Sequence, residues 1–464
     1  MTSRSPPQPP IDAAKTAVLL VLAFLLLLAD KIGYWLPRDL FSNGLDPWVL
    51  SGWLIDYSSG FVRRGLSGEL TGAVHRFLPA ELFVASVAWA TFLLVTAGYL
   101  RLILRVWRQL SALALLGLLF LPSLLPFYLY DHLAFGRKEV LGFLFVLWHL
   151  LILERCCPPA GHCEGRGYLL RLWPLAMLAL PVHALLHEGT ALWFGPTHGL
   201  LTLTVLRRGG GWGWGRALAI TLGLYLPLAL TLLIVLLFGR GSPEDALIIC
   251  RHWQDRQVLG PGVCSSDMGV AMLQAAPAIH ALGWTMGEGI RIAANALPPK
   301  AIALWLTQLP ILAIATLAVG GMASRGIAEG RPAEGFFSWL SPPGSTLALL
   351  FFLLPLLLPA PIYIVAHDLG RWFTVACLNF AMLSLSPQVV GLLKPRWPNR
   401  PSVQPPVAAV PPSRRYWLGF TAKALFLLLC VTAWYLPHCC AGFHILQPSV
   451  RTLIENAAVL LPSG

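Results

Sequence analysis

Five clusters of ionisable residues at the ends of hydrophobic segments have the residue types needed to bind and turn over an anionic substrate. They are residues 46–64 (DPWVLSGWLIDYSSGFVRR), 131–139 (DHLAFGRKE), His187–Glu188, Glu244–Asp245 and 367–371 (HDLGR). Arginine grips phosphate through two parallel hydrogen bonds, and a nearby carboxylate can accept a proton. A sixth cluster, residues 394–415, is basic and proline-rich. When the hydrophobic segments are threaded alternately through a bilayer, the first five clusters share one face.

The first loop contains paired arginines and acidic residues, one of which could accept a proton from a substrate. Arg63 and Arg64 lie beside glycines, which let a ligand approach the backbone closely. An acid a few residues away could then serve as a general base. The same segment also fits an interfacial loop whose arginines face lipid headgroups and pair with Asp56. Taken alone, the segment favours that structural interpretation.

The other clusters shift the balance towards function. A charge inside the hydrocarbon region costs on the order of 2.5 to 3.5 kcal/mol, so ionisable residues at membrane depth are functional candidates. We expect the clusters to line one polar cavity open to the outer face, with acids paired to basic groups. The expected substrate-binding residues are Arg63, Arg64, Asp131, Arg137, Lys138, His187, Glu188, His367, Asp368 and Arg371.

The sequence gives little support for a metal site. His183 and His187-Glu188 form an HxxxHE pattern, for which a hydrogen-bonded core pair is the better explanation. The spacing of Cys156, Cys157 and Cys163 is not a recognised zinc arrangement. No residue is assigned to a metal, and the use of a divalent metal stays open. A disulfide between Cys250 and Cys264 is permitted in an outer loop, but the sequence does not decide it.

The composition predicts an all-α, polytopic membrane protein. The chain is 56% hydrophobic and 12% charged, with a mean hydropathy of +0.69. Its apolar residues come in long runs, as in membrane helices, and do not alternate as in a β-barrel. The runs predict about eleven spans, near residues 16–36, 80–100, 109–130, 138–153, 169–186, 189–206, 217–238, 301–320, 345–365, 372–393 and 416–437.

The short loops predict the orientation and the domain layout. Most of their basic residues share the side of the N-terminus, which is therefore expected to be cytoplasmic in a bacterial inner membrane. The expected layout is a core over 1–393 with outer loops 37–80 and 239–300, a basic linker over 394–415, and a last span with an outer tail over 416–464. The positive charge is spread over membrane-flanking loops, so membrane lipid is the expected partner and nucleic acid is not.

The segment Asp56-Tyr-Ser-Ser-Gly-Phe-Val-Arg-Arg-Gly-Leu66 resembles one found in a set of bacterial membrane proteins similar to the GT-C glycosyltransferases. The resemblance implies sugar transfer from a polyprenyl-phosphate donor on the outer face, in cell-envelope polysaccharide synthesis. Asp56 would then be the catalytic acid, with Asp46 as substitute, and Arg63 and Arg64 would hold the lipid phosphate. The chain departs from the group in lacking an adjacent acidic pair in this loop and a large C-terminal outer domain.

Three other classes of function stay open at this stage. A polysaccharide polymerase or ligase would use the same lipid-linked substrates and a similar arginine-rich cavity. A secondary transporter would place its ionisable residues near the midplane on both halves of an internal repeat, and no clear repeat is found. A scaffold explains the spans but gives no cause for clusters on one face.

Overall fold

The computed structural model describes residues 45–131, 134–158, 163–264, 269–296, 299–330, 332, 345–360, 368–393, 414–432, 434 and 436, and its regular elements are helices. The helices are α1 Pro47–Trp53, α2 Leu66–His75, α3 Ala80–Val106, α4 Ala112–Phe120, α5 Phe127–Tyr130, α6 Val140–Cys156, α7 Gly165–Pro174, α8 Leu180–Leu186, α9 Gly189–Thr204, α10 Trp214–Phe238, α11 Pro243–Asp255, α12 Val270–Ala275, α13 Pro277–Leu282, α14 Met286–Ala296, α15 Pro299–Glu329, α16 Ser345–Leu357, α17 Leu369–Ser384, α18 Pro387–Leu393 and α19 Arg414–Thr432. The all-helical prediction is confirmed.

The prediction of about eleven spans is wrong. Within the described ranges, four helices are long and apolar enough to cross a membrane. They are Ala80–Gln109, Gly165–Leu186, Trp214–Phe238 and Trp305–Glu329, and the bent pair α17 and α18 makes a fifth if it is one span. These helices support a multi-pass membrane protein. The predicted span 16–36 lies outside the described residues.

Breaks in the chain and short helices explain most of the difference. The predicted span 109–130 divides into α4 and α5, separated by a stretch that contains Pro122 and Pro126, and proline lacks the backbone N–H of a helix interior and so favours a break or a kink. At Pro387, α17 and α18 meet at 86°. Helix α6 has 17 residues. It reaches only about 25 Å, less than the roughly 30 Å of a hydrocarbon core.

The helices bring the charged loops to one end of the bundle and the basic short loops to the other. We name the end with the charged loops the cluster end and the end with the basic short loops the basic end. At the cluster end, the Arg63 N–H donates to Gly239 O at 2.8 Å, just after α10. At the basic end, Arg105 Nη1 lies 2.6 Å from a Glu154 carboxylate oxygen. The Arg208 side chain also donates to Leu392 O at this end, at 3.0 Å.

A second, smaller core lies at the cluster end, formed by α1 and the residues after it, the start of α3 and helices α11–α13. We name α1, α2 and α11–α13 the loop subdomain. The Trp253 indole donates to Leu54 O at 2.5 Å, and the Ala278 N–H donates to Ser51 Oγ at 3.0 Å. These bonds join the two outer loops that the sequence predicts. Trp53 then ties the subdomain to the bundle, because its indole donates to Gly136 O at 3.0 Å.

Within the described ranges, two disulfides lie at opposite ends of the bundle. One joins Cys250 to Cys264 in the loop subdomain, which answers the question that the sequence leaves open. The other joins Cys157 to Cys163 at the basic end. Disulfides persist mainly in oxidising compartments, and both ends carry one, so the orientation rests on the basic short loops alone.

Reporter fusions test that orientation. A reporter placed after Arg108 or Arg208, at the basic end, is expected to report the cytoplasm, and one placed at Gly260, in the loop subdomain, the outer side. The reason is that short loops rich in arginine are retained in the cytoplasm. A cytoplasmic signal at Gly260 would place the charged clusters inside and contradict the predicted orientation.

Candidate functional site

The innermost contact of the site is an ion pair between Glu139 and Arg371. Arg371 Nη1 lies 2.8 Å from Glu139 Oε1, and the two side chains are 5% and 0% exposed. Arg371 also pairs with Asp368, one turn earlier in the chain. Glu139 immediately precedes α6, where the free backbone N–H groups of the first turn favour a negative charge. The pair therefore joins two loops that are more than two hundred residues apart in sequence.

A second ion pair brings the first loop into the same region. Arg64 grips Glu188 through Nε at 2.9 Å and Nη2 at 2.7 Å, on opposite oxygens of the carboxylate. Arg64 has a φ of 67°, a left-handed backbone conformation that costs a residue other than glycine of order 1 to 3 kcal/mol. The surrounding structure, including the bidentate ion pair with Glu188, holds Arg64 in this strained backbone conformation. The Arg64 side chain keeps 30% exposure, so this part of the site is open to solvent.

Lys138 lies between the loop subdomain and the ion pairs. Its buried ammonium donates to Gly52 O at 2.7 Å and to Ser67 Oγ at 2.6 Å, and it lies 5.7 Å from the centre of the Trp53 ring. Burial, reinforced by the charge of Arg64, moves the pKa of Lys138 well below its usual range. The side chain can therefore lose its proton far more easily than an exposed lysine.

Arg137 and His187 complete the charged cluster. Arg137 lies 5.9 Å from the ring centre of Trp48 and interacts electrostatically with Arg371, Asp368 and Glu139. His187 lies directly after α8, 7% exposed. Its Nδ1 is buried without a hydrogen-bond partner among the described residues. Burial, together with Arg64, lowers the pKa of His187 to about 3.

Asp56 lies in the loop subdomain, in a polar setting of its own. It is 3% exposed and accepts hydrogen bonds from Ser58 N at 3.0 Å and Ser58 Oγ at 2.6 Å. His252 Nε2 lies 3.7 Å from its second oxygen. A carboxylate beside an imidazole is an arrangement that can accept and pass on a proton. The sequence did not single out Ser58, which is an uncharged member of the first cluster, or His252, which is almost two hundred residues away.

Arg63 differs from Arg64 in its contacts. Its side chain donates to Ala281 O at 3.5 Å, and no hydrogen bond or ion pair to a carboxylate is found for it among the described residues. Burial lowers the pKa of Arg63, and the charge of Glu188 opposes that effect. A half-buried guanidinium beside the end of α10 is therefore available to bind an anion.

Several predicted residues have local structural roles. Asp46 caps α1 by accepting from Trp48 N at 2.9 Å, which weakens its candidacy as a base. Asp131 accepts from Ala134 N at 3.0 Å. Glu244 and Asp245 lie in the first turn of α11, and Asp245 forms a capping box with Ser242. His367 lies outside the described residues.

The structure therefore brings together residues from four of the five clusters: Arg64, Arg137, Lys138, His187, Glu188, Asp368 and Arg371. Glu139, which the sequence placed in a charged run but not among the candidate site residues, lies at the centre. Its position directly before a long apolar helix is the signal that could have selected it. Within the described parts of the chain, no three His, Cys, Asp or Glu side chains converge to hold a metal ion.

Comparison with known proteins adds no relationship: no protein-family model, no curated protein and no solved structure matches this chain.

The pairing of Arg371 with Glu139 is testable by its stability. Arg371→Met leaves Glu139 buried without its cation, so the free energy of unfolding should fall by about 3 to 5 kcal/mol. The matched control is Arg101→Met, since Arg101 pairs with Glu154 on the surface and is 50% exposed; its effect should stay below about 1 kcal/mol. Thermal unfolding in detergent measures both. Equal effects of the two substitutions would contradict a buried ion pair.

The pH dependence of stability follows from His187 and Glu139. Burial lowers the pKa of His187 from 6.5 to about 3. Burial would raise the pKa of Glu139, but Arg371 and His187 outweigh it and lower that pKa from 4.5 to about 2. Each group binds fewer protons folded than unfolded, so its contribution is complete above its ordinary pKa and is lost as the pH falls towards the lowered value. Thermal stability should therefore fall on acidification below pH 6.5, and His187→Asn should flatten the profile between 6.5 and 4.5. An unchanged slope in His187→Asn would show that His187 is not held neutral.

Proposed function

We propose that this protein transfers a sugar from a polyprenyl-phosphate donor to an acceptor hydroxyl at the cluster end. The donor would be bound by its phosphate at Arg63, and the acceptor would be deprotonated by Asp56. The proposal rests on the different partners of Arg63 and Arg64. Arg64 forms an ion pair with Glu188, whereas Arg63 has no bound carboxylate among the described residues.

The position of Arg63 suits a lipid-borne anion. Its backbone N–H bonds to Gly239 O, the residue that follows α10. Helix α10 is the least buried of the four candidate spans, and its last residues Leu237 and Phe238 are 59% and 68% exposed. A lipid that lies along this helix would have its headgroup at the level where α10 ends, beside Arg63. Arginine suits this role because its planar fork matches two phosphate oxygens.

The chemistry needs one base and one site for the leaving phosphate. The acceptor oxygen attacks the anomeric carbon of the sugar, the bond between that carbon and the phosphate oxygen breaks, and the acceptor proton passes to Asp56. The negative charge that develops on the leaving phosphate is stabilised by Arg63. His252, whose Nε2 lies 3.7 Å from Asp56, is the neighbouring group that could receive the proton from the carboxylate. Asp46 is the weaker candidate for the base, since it caps α1.

The lipid that co-purifies with the protein tests this proposal. The wild-type protein, extracted in mild detergent, should carry polyprenyl-phosphate lipids that mass spectrometry detects. Arg63→Met should lose them, because the phosphate loses its cation. Asp56→Asn should keep them and raise the share that still bears a sugar, since removal of a general base slows transfer by roughly 10² to 10⁴-fold.

Two controls make the result decisive. Arg76→Met removes an exposed arginine just after α2 and should leave the bound lipid unchanged. Asp46→Asn removes the alternative carboxylate but keeps the helix cap, since asparagine caps a helix as well as aspartate, and it should leave the sugar-bearing share unchanged. Wild-type protein without polyprenyl lipid, or equal lipid content in Arg63→Met, would refute the proposal.

A further inference from the structure

An open groove lies at the basic end, on the opposite side of the bundle from the candidate site. Its volume is about 790 Å³, within the range of ligand-binding clefts. The described residues that line it are Leu104, Arg105, Trp107, Arg108 and Gln109. They are the last residues of a candidate membrane span that ends at Gln109, so the groove lies at the level where lipid headgroups meet water. We name it the basic groove.

The basic groove carries more positive charge than its neighbouring carboxylate neutralises. Glu154 is shared by two arginines, with Arg105 Nη1 at 2.6 Å and Arg101 Nη2 at 3.0 Å. Arg108, three residues after Arg105, is exposed and has no hydrogen bond or ion pair among the described residues. A guanidinium has five N–H donors, so Arg105 can hold Glu154 and a second anion together. One carboxylate against three arginines leaves a positive excess that an anion can neutralise.

Two uncharged side chains add hydrogen-bond donors to the basic groove. The Gln109 side-chain oxygen is buried and has no partner among the described residues. An unpaired buried acceptor is unfavourable, and a half-turn of the amide exchanges that oxygen for the NH2 group, which donates to anions. Trp107 is half-buried, and its indole N–H is a donor of the kind found where membrane spans meet water.

A stripe of exposed apolar residues runs along the same helix to the basic groove. Leu93, Leu100 and Leu104 are 57%, 39% and 67% exposed, and Ala97 between them is also exposed. These residues recur at spacings of four, three and four, so they share one face of the helix. The stripe lies within the candidate span Ala80–Gln109, where acyl chains cover apolar side chains. A ligand with an anionic head and acyl chains matches the groove and the stripe at once.

We propose that the basic groove binds an anionic phospholipid, with its phosphate against Arg105 and Arg108 and its acyl chains along Leu93, Leu100 and Leu104. A free phosphate ion would use the arginines and leave the leucines without a role. A zwitterionic phospholipid also carries a phosphate, but its own cationic group offsets the attraction to the arginines. The basic end is the end expected to face the cytoplasm, where the leaflet is anionic. The site is independent of the proposed sugar transfer.

Lipid titration followed by native mass spectrometry tests the site. The full-length protein in detergent, stripped of bound lipid, is titrated with phosphatidylglycerol and separately with phosphatidylcholine of the same acyl chains. Phosphatidylglycerol should bind about tenfold or more tightly, because each arginine beside an anionic headgroup contributes about fivefold. Arg108→Gln should weaken phosphatidylglycerol about fivefold and leave phosphatidylcholine unchanged. Leu104→Asn, which removes part of the stripe, should weaken both lipids alike.

Two controls separate a built site from general surface charge. Arg155→Gln removes an exposed arginine at the same end that does not line the basic groove, and it should keep the wild-type affinity. Sodium phosphate, compared with sodium chloride at equal ionic strength, should not displace the bound lipid. Equal affinities for the two lipids, or equal losses in Arg108→Gln and Arg155→Gln, would overturn the proposal. Displacement by inorganic phosphate would also overturn it, because the site would then bind a free anion.

Discussion

A buried charge must be paired, and this requirement organises the cluster end of the molecule. Glu139 is completely buried, so it can be ionised only if Arg371 lies against it. Arg371 lies in the first turn of α17 and Glu139 directly precedes α6, so the pair fixes the position of one helix start relative to the other. Asp368 gives Arg371 a second anion, which keeps the excess of positive charge near Arg137 and Lys138 tolerable.

The loop subdomain is then held against this charged centre by bonds that only particular residues allow. Gly136 has a φ of 81°, and its carbonyl accepts from the Trp53 indole. A side chain at Gly136 would be strained by that φ and would lie 2.9 Å from Val49, so glycine is required there. Lys138 adds a second bond to the same subdomain through Gly52 O. The first loop can therefore place Arg63 at the end of α10 while Arg64 is anchored on Glu188.

The membrane-spanning helices were predictable where a single long apolar run determines them. Trp214–Phe238 and Ala80–Gln109 each contain a long apolar stretch that predicts a span, and both helices are long and apolar enough to cross a membrane. The number of spans was not predictable from apolar runs, because α6 is apolar yet too short, and many of its apolar residues pack against protein in the core. A hydropathy pattern reports that a residue avoids water, and it does not distinguish lipid from protein as the alternative.

The site was predictable in part for a similar reason. Charge at the ends of apolar runs located Arg64, Glu188, Asp368 and Arg371, since such residues are rare near a membrane. The partners could not be read from the sequence, because Arg64 and Glu188 are 124 residues apart. Sequence also placed Asp46 beside Asp56 as an alternative base, whereas the structure gives Asp46 a capping bond. The histidines at 149 and 198 lie inside apolar helices with no charged neighbour in sequence, and only their facing positions in the fold make them a pair.

The coupling between Arg64 and Glu188 tests the central claim most directly, namely that the first loop is built into the charged cluster. A double-mutant cycle with Arg64→Gln, Glu188→Gln and the combined variant keeps the backbone strain at residue 64 and removes only the ion pair. Thermal unfolding should give a coupling energy of about 1 to 3 kcal/mol, as for contacting residues in one network. Effects that add to within about 0.5 kcal/mol would show that the two residues act independently, and would contradict the assembly of the site from the first loop.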